Sequence, residues 1–244
     1  MKTHRFICCE KGAKNMKIDD SIIKYCLKNV MFITGTAYAG KSTMVKRLAE
    51  KYNLISREEN YHFNMTSKIA KPELFPNVCY FETMKDWQEF VNRSPEAYEK
   101  WIEESNLEIA EFEVAELIRV SKDRKVIVDT NIPVELLKNI ADYNQVAIML
   151  SPQSMAIEQF FNRDDADKKF IKEQIMKSKN PEKVMANYLE GIARVNNKEH
   201  YEKYRNSGFF TLVRDNIGVD TKEEVMSALA LHFGLKEEEI TKQY

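Results

Sequence analysis

The fold is decided by the stretch VMFITGTAYAGKST, residues Val30–Thr43. Gly35 and Gly40 enclose four residues, and Lys41 and Ser42 follow, which matches the pattern G-x-x-x-x-G-K-[ST]. The glycines let the backbone turn tightly, so that successive N–H groups can point at one anion. Lys41 can reach the β- and γ-phosphates of a nucleotide, and the Ser42 hydroxyl is a hard oxygen ligand suited to Mg²⁺. The loop is therefore predicted to bind nucleotide phosphates.

The residues on either side of this glycine-rich loop supply the context that the motif requires. Four apolar residues in a row at 30–33 predict a buried central strand. After the loop, one helical face carries Met44, Val45, Leu48, Ala49 and Tyr52. The N-terminus of that helix would lie beneath the phosphates with the positive end of its dipole. The predicted nucleotide-binding residues are Gly35, Thr36, Ala37, Tyr38, Ala39, Gly40, Lys41, Ser42 and Thr43.

Apolar strands recur along the rest of the chain, with helical segments between them. They are predicted at residues 52–55, 126–128, 146–150 and 209–213. A long helix is predicted from its N-cap Ser94 to about Val120, and Thr130 or Asn131 is predicted to cap the helix after the third strand. This alternation predicts an α/β fold with a five-stranded parallel sheet and helices on both faces.

We predict one domain over residues 1–244. Its core covers about 21–63, 121–150 and 208–234, and two helical insertions cover about 64–120 and 151–207. Both insertions leave the sheet edge that carries the glycine-rich loop, where ligands of open α/β sheets bind. The first is predicted to hold a substrate and the second to close as a lid. Pro72 and Pro76 leave residues 64–93 without a clear assignment.

The composition narrows the classes of function. Thirty-seven basic and 38 acidic residues give a net charge of −1, which gives no reason to expect nucleic acid as a partner. The sequence contains neither an apolar run long enough to span a membrane nor a signal-peptide pattern, so we expect a cytoplasmic protein. The four cysteines, Cys8, Cys9, Cys26 and Cys79, lack metal-site spacing and are expected to be reduced thiols. Redox activity of the adjacent pair Cys8–Cys9 is the alternative.

Several segments together resemble the P-loop kinases of the nucleoside- and nucleotide-kinase type. They are GTAYAGKST after the first strand, VIVDT at the third, a basic lid-like region after the fourth and LVRDN after the fifth, so the resemblance covers most of the chain. It implies the sheet order 2-3-1-4-5, acceptor-binding helices after the second strand and a lid with arginines after the fourth. The paired arginine and glycine signals by which adenylate and thymidylate kinases hold a nucleoside monophosphate are not found, which leaves the acceptor open.

Two strand ends carry the strongest candidates outside the loop. Asp129 ends the third strand and suits a Walker-B-like carboxylate that binds Mg²⁺, the alternative being a helix-capping or turn residue. Glu58 follows the second strand, where the resemblance implies a carboxylate that accepts the proton of the attacking hydroxyl or binds the acceptor. Glu59 is the next candidate and His62 follows closely. The alternative for both glutamates is solvated loop charge.

Arginines and tryptophans complete the set of candidates. Arg163 opens the predicted lid, with Arg194 and Arg205 further along, and a guanidinium suits the charge that spreads over phosphoryl oxygens. Acids nearly match bases in this region, so solvated surface pairs are the alternative. Trp87 and Trp101 could stack on a base, although aromatic residues at helical spacing are more often part of a core. The predicted catalytic residues are Lys41, Glu58, Asp129, Arg163 and Arg194, and the predicted metal ligands are Ser42 and Asp129.

The charge of the first insertion bears on the acceptor. Residues 73–120 hold 12 acidic and four basic side chains, which favours a neutral or cationic acceptor over a phosphorylated one. The leading prediction is a Mg²⁺-dependent phosphotransferase that moves the γ-phosphate of ATP to a small-molecule hydroxyl or phosphate acceptor. Its expected partners are ATP and that acceptor, without nucleic acid or membrane, and a homodimer is left open.

Two other functions are weighed against this one. The first is a nucleotide-binding switch or slow ATPase whose helical insertions bind a protein partner. The second is a polynucleotide kinase or RNA-linked ATPase, which the missing basic stripe disfavours. The preference for ATP over GTP is left open.

Overall fold

The computed structural model describes residues 17–158, 160–162, 165–214 and 220–236. These residues form an α/β fold around a five-stranded sheet in which all strand pairs are parallel. The strands are β1 (Val30–Gly35), β2 (Ile55–Arg57), β3 (Val126–Asp129), β4 (Val146–Leu150) and β5 (Phe210–Val213). Their order in the sheet is β2-β3-β1-β4-β5. The predicted α/β class with a five-stranded parallel sheet and helices is confirmed.

The described residues also form α-helices before, between and after these strands. They are α1 (Asp20–Cys26), α2 (Lys41–Tyr52), α3 (Phe63–Ile69), α4 (Tyr80–Thr83), α5 (Trp87–Val91), α6 (Pro95–Val120), α7 (Val134–Ile140), α8 (Ser154–Glu158), α9 (Ala166–Met176), α10 (Pro181–Val195), α11 (Lys198–Arg205) and α12 (Lys222–His232). A 3₁₀ turn, Tyr143–Gln145, precedes β4. Within the described part of the chain, no helix is long and apolar enough to cross a membrane.

Alternate residues of the central strands point into two separate cores. Val30 and Phe32 of β1 pack with residues of α1, α6 and α7 on one face of the sheet. Met31 and Ile33 pack with residues of α2 and α12 on the other face. Because both faces are covered, every residue of β3 and β4 is buried, as a central parallel strand requires.

A third apolar cluster joins the two helical insertions. Phe90 of α5 and Tyr98 of α6 pack there with Ile175 of α9 and Tyr188 of α10. Helices α6 and α10 approach closely at Gly191, where a Cβ atom would lie 3.0 Å from the Tyr98 ring. Helix α11 in turn contacts β4. Helices α10 and α11 of the predicted lid are thus packed against α6 and the sheet.

Local signals explain where the elements begin. The Ser94 hydroxyl accepts the Ala97 N–H at 3.2 Å, and Pro95 occupies the first helical position, so α6 begins where the sequence predicted. Residues 64–93, which the sequence left unassigned, contain most of α3 together with α4 and α5, all of them short. Short helices around Pro72 and Pro76 lack the long apolar period that would have identified them.

Two predicted boundaries were wrong. The second strand was expected at residues 52–55, but α2 continues to Tyr52 and ends at Asn53, whose left-handed φ of 51° stops the helix. Strand β2 therefore starts at Ile55. Helix α7 starts after Pro133 rather than being capped by Thr130 or Asn131. The Thr130 hydroxyl instead donates to a buried glutamate of α6.

Candidate functional site

The glycine-rich loop connects the end of β1 to the start of α2. Gly35 has a φ of +130°, and a Cβ atom there would lie 2.0 Å from the carbonyl oxygen of Met149. Only glycine fits this position, because the loop runs directly over β4. The next residue, Thr36, donates its N–H to the same Met149 oxygen at 3.1 Å. Gly40, at φ +90°, is the N-cap of α2 and supplies no side chain to the first turn of the helix.

Thr36 and Ser151 fix the loop to the end of β4. The Ser151 N–H donates to Thr36 Oγ1 at 2.8 Å, and the two hydroxyl oxygens are 3.1 Å apart. Ser151 Oγ also donates to the carbonyl oxygen of Ala37 at 2.7 Å. The buried side chain of Ser151 therefore holds the loop in place.

Lys41, Ser42 and Asp129 meet at the floor of the loop. Ser42 Oγ donates to Asp129 Oδ2 at 2.6 Å, and Lys41 Nζ lies 3.8 Å from Asp129 Oδ1. Lys41 also donates to the carbonyl oxygen of Thr36 at 3.2 Å. Burial raises the pKa of the Asp129 carboxyl, while Lys41 and Ser42 act in the opposite direction. The sequence predicted these three residues as site residues, and the structure brings them together.

The donor set fits a hard divalent cation. Asp129 is 1% exposed, and its Oδ1 atom has no hydrogen-bond partner, although a buried carboxylate oxygen normally has one. The neighbouring Ser42 hydroxyl is a second oxygen ligand of the kind that Mg²⁺ takes beside phosphate oxygens. Among the residues described, no group of three or more His, Cys, Asp or Glu side chains is placed to hold a metal ion. A Mg²⁺ ion here would rely on Ser42, Asp129 and the ligand's own oxygens.

A cavity of about 320 Å³ lies beside the loop and the first turn of α2. Gly40 and Thr43 line one side, and Met149 of β4 and Arg214 after β5 line another. Thr221, next to the start of α12, completes this part of the wall. The volume is within the range of small-molecule sites, and the cavity is continuous with the loop.

Glu58 and Glu59 lie close to Asp129, and each has a partner. Both follow β2, which pairs in parallel with the β3 strand that ends at Asp129, and both carboxylates contribute to raising the pKa of Asp129 after the larger effect of burial. Glu58 Oε1 is 3.1 Å from Lys46 Nζ of α2, in a pair in which both side chains are about half exposed. Glu59 accepts a hydrogen bond from Asn131 Nδ2 at 3.0 Å. Both predicted carboxylates thus lie at the expected edge of the sheet. Each already has a partner, so neither is an unpaired base.

Glu113 is a buried carboxyl that the sequence analysis missed. It is 1% exposed and accepts a hydrogen bond from Thr130 Oγ1 at 2.5 Å. Its pKa is raised to about 7, mainly by burial and to a smaller extent by the charge of Asp129, while the hydrogen bond from Thr130 acts in the opposite direction. Glu113 follows the buried Ala110 by three residues and precedes the buried Leu117 by four, so the helical period could have identified it.

The predicted lid arginines differ in their outcomes. Arg163 lies outside the described residues. Arg194 is paired with two glutamates of α6, with Nε 2.9 Å from Glu99 Oε2 and Nη1 3.2 Å from Glu96 Oε1. Arg205 lies 3.8 Å from Glu202 on the exposed face of α11. For Arg194 and Arg205 these pairs agree with the surface-pair alternative, and the partners of both side chains lie outside residues 35–43.

Lys168 of α9 contacts the glycine-rich loop, although the sequence gave it no role. Its Nζ lies 3.4 Å from the Tyr38 hydroxyl and 5.4 Å from the centre of the Tyr38 ring. The ring of Phe160 lies 4.9 Å from the same Nζ. The carboxylate oxygen Asp165 Oδ2 lies 3.8 Å from that Nζ. The charged insertion after β4 thus brings a cation to the loop through a lysine.

His62 and the two tryptophans have structural surroundings. His62 is 1% exposed, its Nδ1 is 3.0 Å from Thr66 Oγ1, and burial lowers its pKa. Trp101 donates its Nε1–H to the carbonyl oxygen of Asn77 at 3.0 Å. Trp87 packs against Phe170 of α9, with ring centres 4.8 Å apart. These contacts agree with the prediction that the aromatic residues are more often part of a core.

Comparisons with known proteins add little. No protein-family model matches the sequence, and no curated protein matches it either. A search of solved structures matched an uncharacterized protein from Eubacterium ventriosum, with a TM-score of 0.37 and 12% sequence identity. The match covers 83% of this chain and 99% of that protein's chain. NadR protein in complex with NR gives a TM-score of 0.35 at 14% identity, covering 89% of this chain and 55% of NadR. TM-scores this low do not bear on the function of this chain.

Proposed function

We propose that this chain has a P-loop NTPase fold and acts as a Mg²⁺-dependent phosphotransferase that moves the γ-phosphate of ATP to a small-molecule acceptor. The strand order supports the fold, because β1, which leads into the glycine-rich loop, lies directly beside β3, which ends at Asp129. The register aligns Asp129 with Ile33, two residues before the end of β1. That order is the one implied by the resemblance to nucleoside and nucleotide kinases.

The hydrogen bond between Ser42 and Asp129 carries the proposal. It joins residues 87 positions apart, one on the phosphate motif and one at the end of a buried strand. A chance match of the motif in a turn would not bring a buried carboxylate to the motif hydroxyl. Nor would it leave the other oxygen of Asp129 without a hydrogen-bond donor beside Lys41.

Each residue of the site has a defined task under this proposal. The loop N–H groups and Lys41 bind the β- and γ-phosphates. Ser42 and Asp129 hold Mg²⁺, which when bound offsets the negative charge of the transferred phosphoryl group. The adjacent cavity takes the remainder of the nucleotide. Glu58 orients the acceptor hydroxyl and takes its proton late in a loose transition state, with Glu59 as the next candidate.

One observation favours a second candidate, a nucleotide-binding switch or slow ATPase. Both predicted bases have partners, Glu58 with Lys46 and Glu59 with Asn131. A site that transfers phosphate to a metabolite must release one of these carboxylates when the acceptor binds. A switch or slow ATPase requires no such release. A switch needs only to bind the nucleotide, and a slow ATPase uses water in place of the acceptor.

Measurement of ADP formation from Mg·ATP distinguishes the two candidates. The protein is assayed alone and with a panel of nucleosides, nucleoside monophosphates and hydroxyl- or amine-bearing metabolites, with products identified by mass spectrometry. The phosphotransferase proposal predicts that one acceptor class accelerates ADP formation and acquires a phosphate, and the acidic residues of 73–120 favour uncharged or cationic members. A slow rate that no acceptor changes supports the switch. No nucleotide binding or hydrolysis at all contradicts both.

A further inference from the structure

The insertion after β4 brings the ammonium group of Lys168 to the middle of the glycine-rich loop. Lys168 lies in the first turn of α9, and its Nζ is 3.4 Å from the hydroxyl of Tyr38. Tyr38 precedes Lys41 by three residues and Ser42 by four, and it adopts a left-handed φ of 64°. The ammonium group therefore lies against the side chain of a residue whose backbone is part of the loop proposed to surround the phosphates.

The contacts of Lys168 leave its charge available to a ligand. The Asp165 carboxylate is engaged elsewhere, since its Oδ1 accepts the N–H groups of Asp167 and Lys168 at the start of α9. Its Oδ2 lies 3.8 Å from Lys168 Nζ, longer than a charged hydrogen bond. Among the described residues, the rings of Tyr38 and Phe160 also contact Lys168 Nζ, and aromatic rings hold a cation weakly where water can reach it.

Arg194 shows the contrasting case in the same insertion. Its guanidinium contacts the carboxylates of Glu96 and Glu99 at 3.2 and 2.9 Å. A cation that already binds two carboxylates gains little electrostatic stabilisation from a phosphate. A cation whose neighbours are aromatic rings gains a full negative counter-charge. Lys168 is thus better placed than Arg194 to meet the phosphates.

We propose that Lys168 is a catalytic residue whose ammonium group contacts the terminal phosphates of the bound nucleoside triphosphate. The proposal rests on the proposed function. When the triphosphate binds, Nζ leaves the hydroxyl of Tyr38 for the phosphate oxygens, a movement of one flexible side chain. There it binds the triphosphate and stabilises the negative charge of the transferring phosphoryl group. As a point charge, lysine can be replaced in part by arginine at this position.

The test compares Lys168→Ala with Lys168→Arg and with Lys172→Ala. Lys172 lies one turn later on α9 and is exposed, so it controls for the loss of a positive charge from this helix. Binding of ADP and of a non-hydrolysable ATP analogue is measured by calorimetry with Mg²⁺ present, and ADP formation from Mg·ATP is measured for each variant. Thermal melting verifies that each variant folds.

Lys168→Ala is expected to lower kcat by about 10- to 100-fold and to weaken the ATP analogue more than ADP. Lys168→Arg should recover most of the loss, and Lys172→Ala should behave as wild type. A purely structural role would weaken ADP and the analogue equally and would lower the melting temperature. That result, or wild-type behaviour of Lys168→Ala, would overturn the proposal.

Lys41→Ala in the same assays separates the two levels of inference. If Lys41→Ala abolishes analogue binding while Lys168→Ala is neutral, only the role of Lys168 is wrong. If Lys41→Ala binds the analogue as wild type does, the proposed function fails and the role of Lys168 fails with it.

Discussion

The glycine-rich loop and the contact between α6 and α10 contain similar charged groups but pair them differently. At the loop, Lys41 lies 3.8 Å from Asp129, and one oxygen of that buried carboxylate has no hydrogen-bond partner. At the helix contact, Arg194 binds Glu96 and Glu99 directly. The charged groups at the loop therefore remain able to interact with a ligand. At the helix contact, the charge of Arg194 is already neutralised by two carboxylates of the protein. Residue type alone therefore does not identify a binding site. Whether a charged side chain is already paired within the protein is what distinguishes the two regions.

The largest expected effects separate Asp129 from Glu58. Asp129→Asn should depress both acceptor phosphorylation and background ATP hydrolysis and raise the Mg²⁺ concentration required, because every reaction of Mg·ATP uses the metal site. Glu58→Gln should lower acceptor phosphorylation by about 10²–10⁴-fold and spare nucleotide binding and background hydrolysis. Steady-state rates with and without acceptor, over a Mg²⁺ titration, measure both effects.

Lys46→Ala is the matched control for Glu58, since it removes the partner without removing the carboxylate. It should retain acceptor phosphorylation. Equal loss of background hydrolysis in Asp129→Asn and Glu58→Gln would assign Glu58 to the metal site instead. A wild-type rate for Glu58→Gln would leave it as solvated loop charge and make Glu59 the next candidate.

Two glycines sharpen the structural side of the comparison. Gly35 and Gly208 both have positive φ angles, +130° and +88°, but only Gly35 has neighbours within reach of a Cβ atom. Gly35→Ala should cost about 3 kcal/mol or more of unfolding free energy, because the added carbon meets the Met149 carbonyl. Gly208→Ala should cost about 1 kcal/mol, from the left-handed backbone alone. Urea denaturation measures both, and equal costs would mean that the loop does not run against β4.

A smaller effect is expected from the buried carboxyl of Glu113. Its pKa is about 7 in the folded protein against 4.5 for the unperturbed group, so the folded state binds the proton more tightly. The stability it contributes is complete below pH 4.5 and is lost as pH rises through 7. The shift corresponds to about 2–4 kcal/mol. Glu113→Gln should remove this part of the pH dependence.

Urea denaturation at pH 5 and pH 8 gives the free energy of unfolding of wild type and of Glu113→Gln. Comparing the two proteins at each pH removes the contributions of all other titratable groups. Glu111→Gln, two residues earlier on an exposed position of α6, is the control and should keep the wild-type pH dependence. If wild type and Glu113→Gln lose the same stability between these pH values, the carboxyl is ionised in the folded protein throughout.

The smallest effect is expected at Arg194. Because both of its partners are on α6, Arg194→Ala should change kcat/KM for Mg·ATP by less than about threefold. Its melting temperature should fall slightly, since the link between α10 and α6 is weakened. A large loss of turnover with an unchanged melting temperature would show that the helix contact takes part in the chemistry, and the contrast between the two regions would be lost.

The structure of the glycine-rich loop and its surroundings was predictable because its constraints are local. The motif from Gly35 to Ser42, an apolar strand before it and an amphipathic helix after it lie within one stretch of chain. Asp129 could be placed beside them because parallel strands end at a common edge. Those features gave the α/β class, the five parallel strands and the residues that meet at the loop floor.

The remaining features depend on contacts between distant segments. Glu113 is buried because Thr130, 17 residues later, supplies its hydrogen bond, and the many other glutamates of α6 obscured it. Lys168 reaches Tyr38 only because α9 folds back over a loop 130 positions away. The pairing of Arg194 with α6 depends on the close approach of two helices at Gly191. The periodicity of apolar residues along one segment carries no information about contacts between segments that are distant in sequence.

Calorimetric titration of a non-hydrolysable ATP analogue, with and without Mg²⁺, tests the central claim most directly. Wild type and Lys41→Ala are compared, with Lys51→Ala, an exposed lysine on the same helix, as the control. The account predicts Mg²⁺-dependent binding at one site in wild type and Lys51→Ala. Lys41→Ala should bind at least about 100-fold more weakly with an unchanged melting temperature. Absence of binding in wild type, or equal affinity in Lys41→Ala, would contradict the claim that residues 35–43 hold nucleotide phosphates.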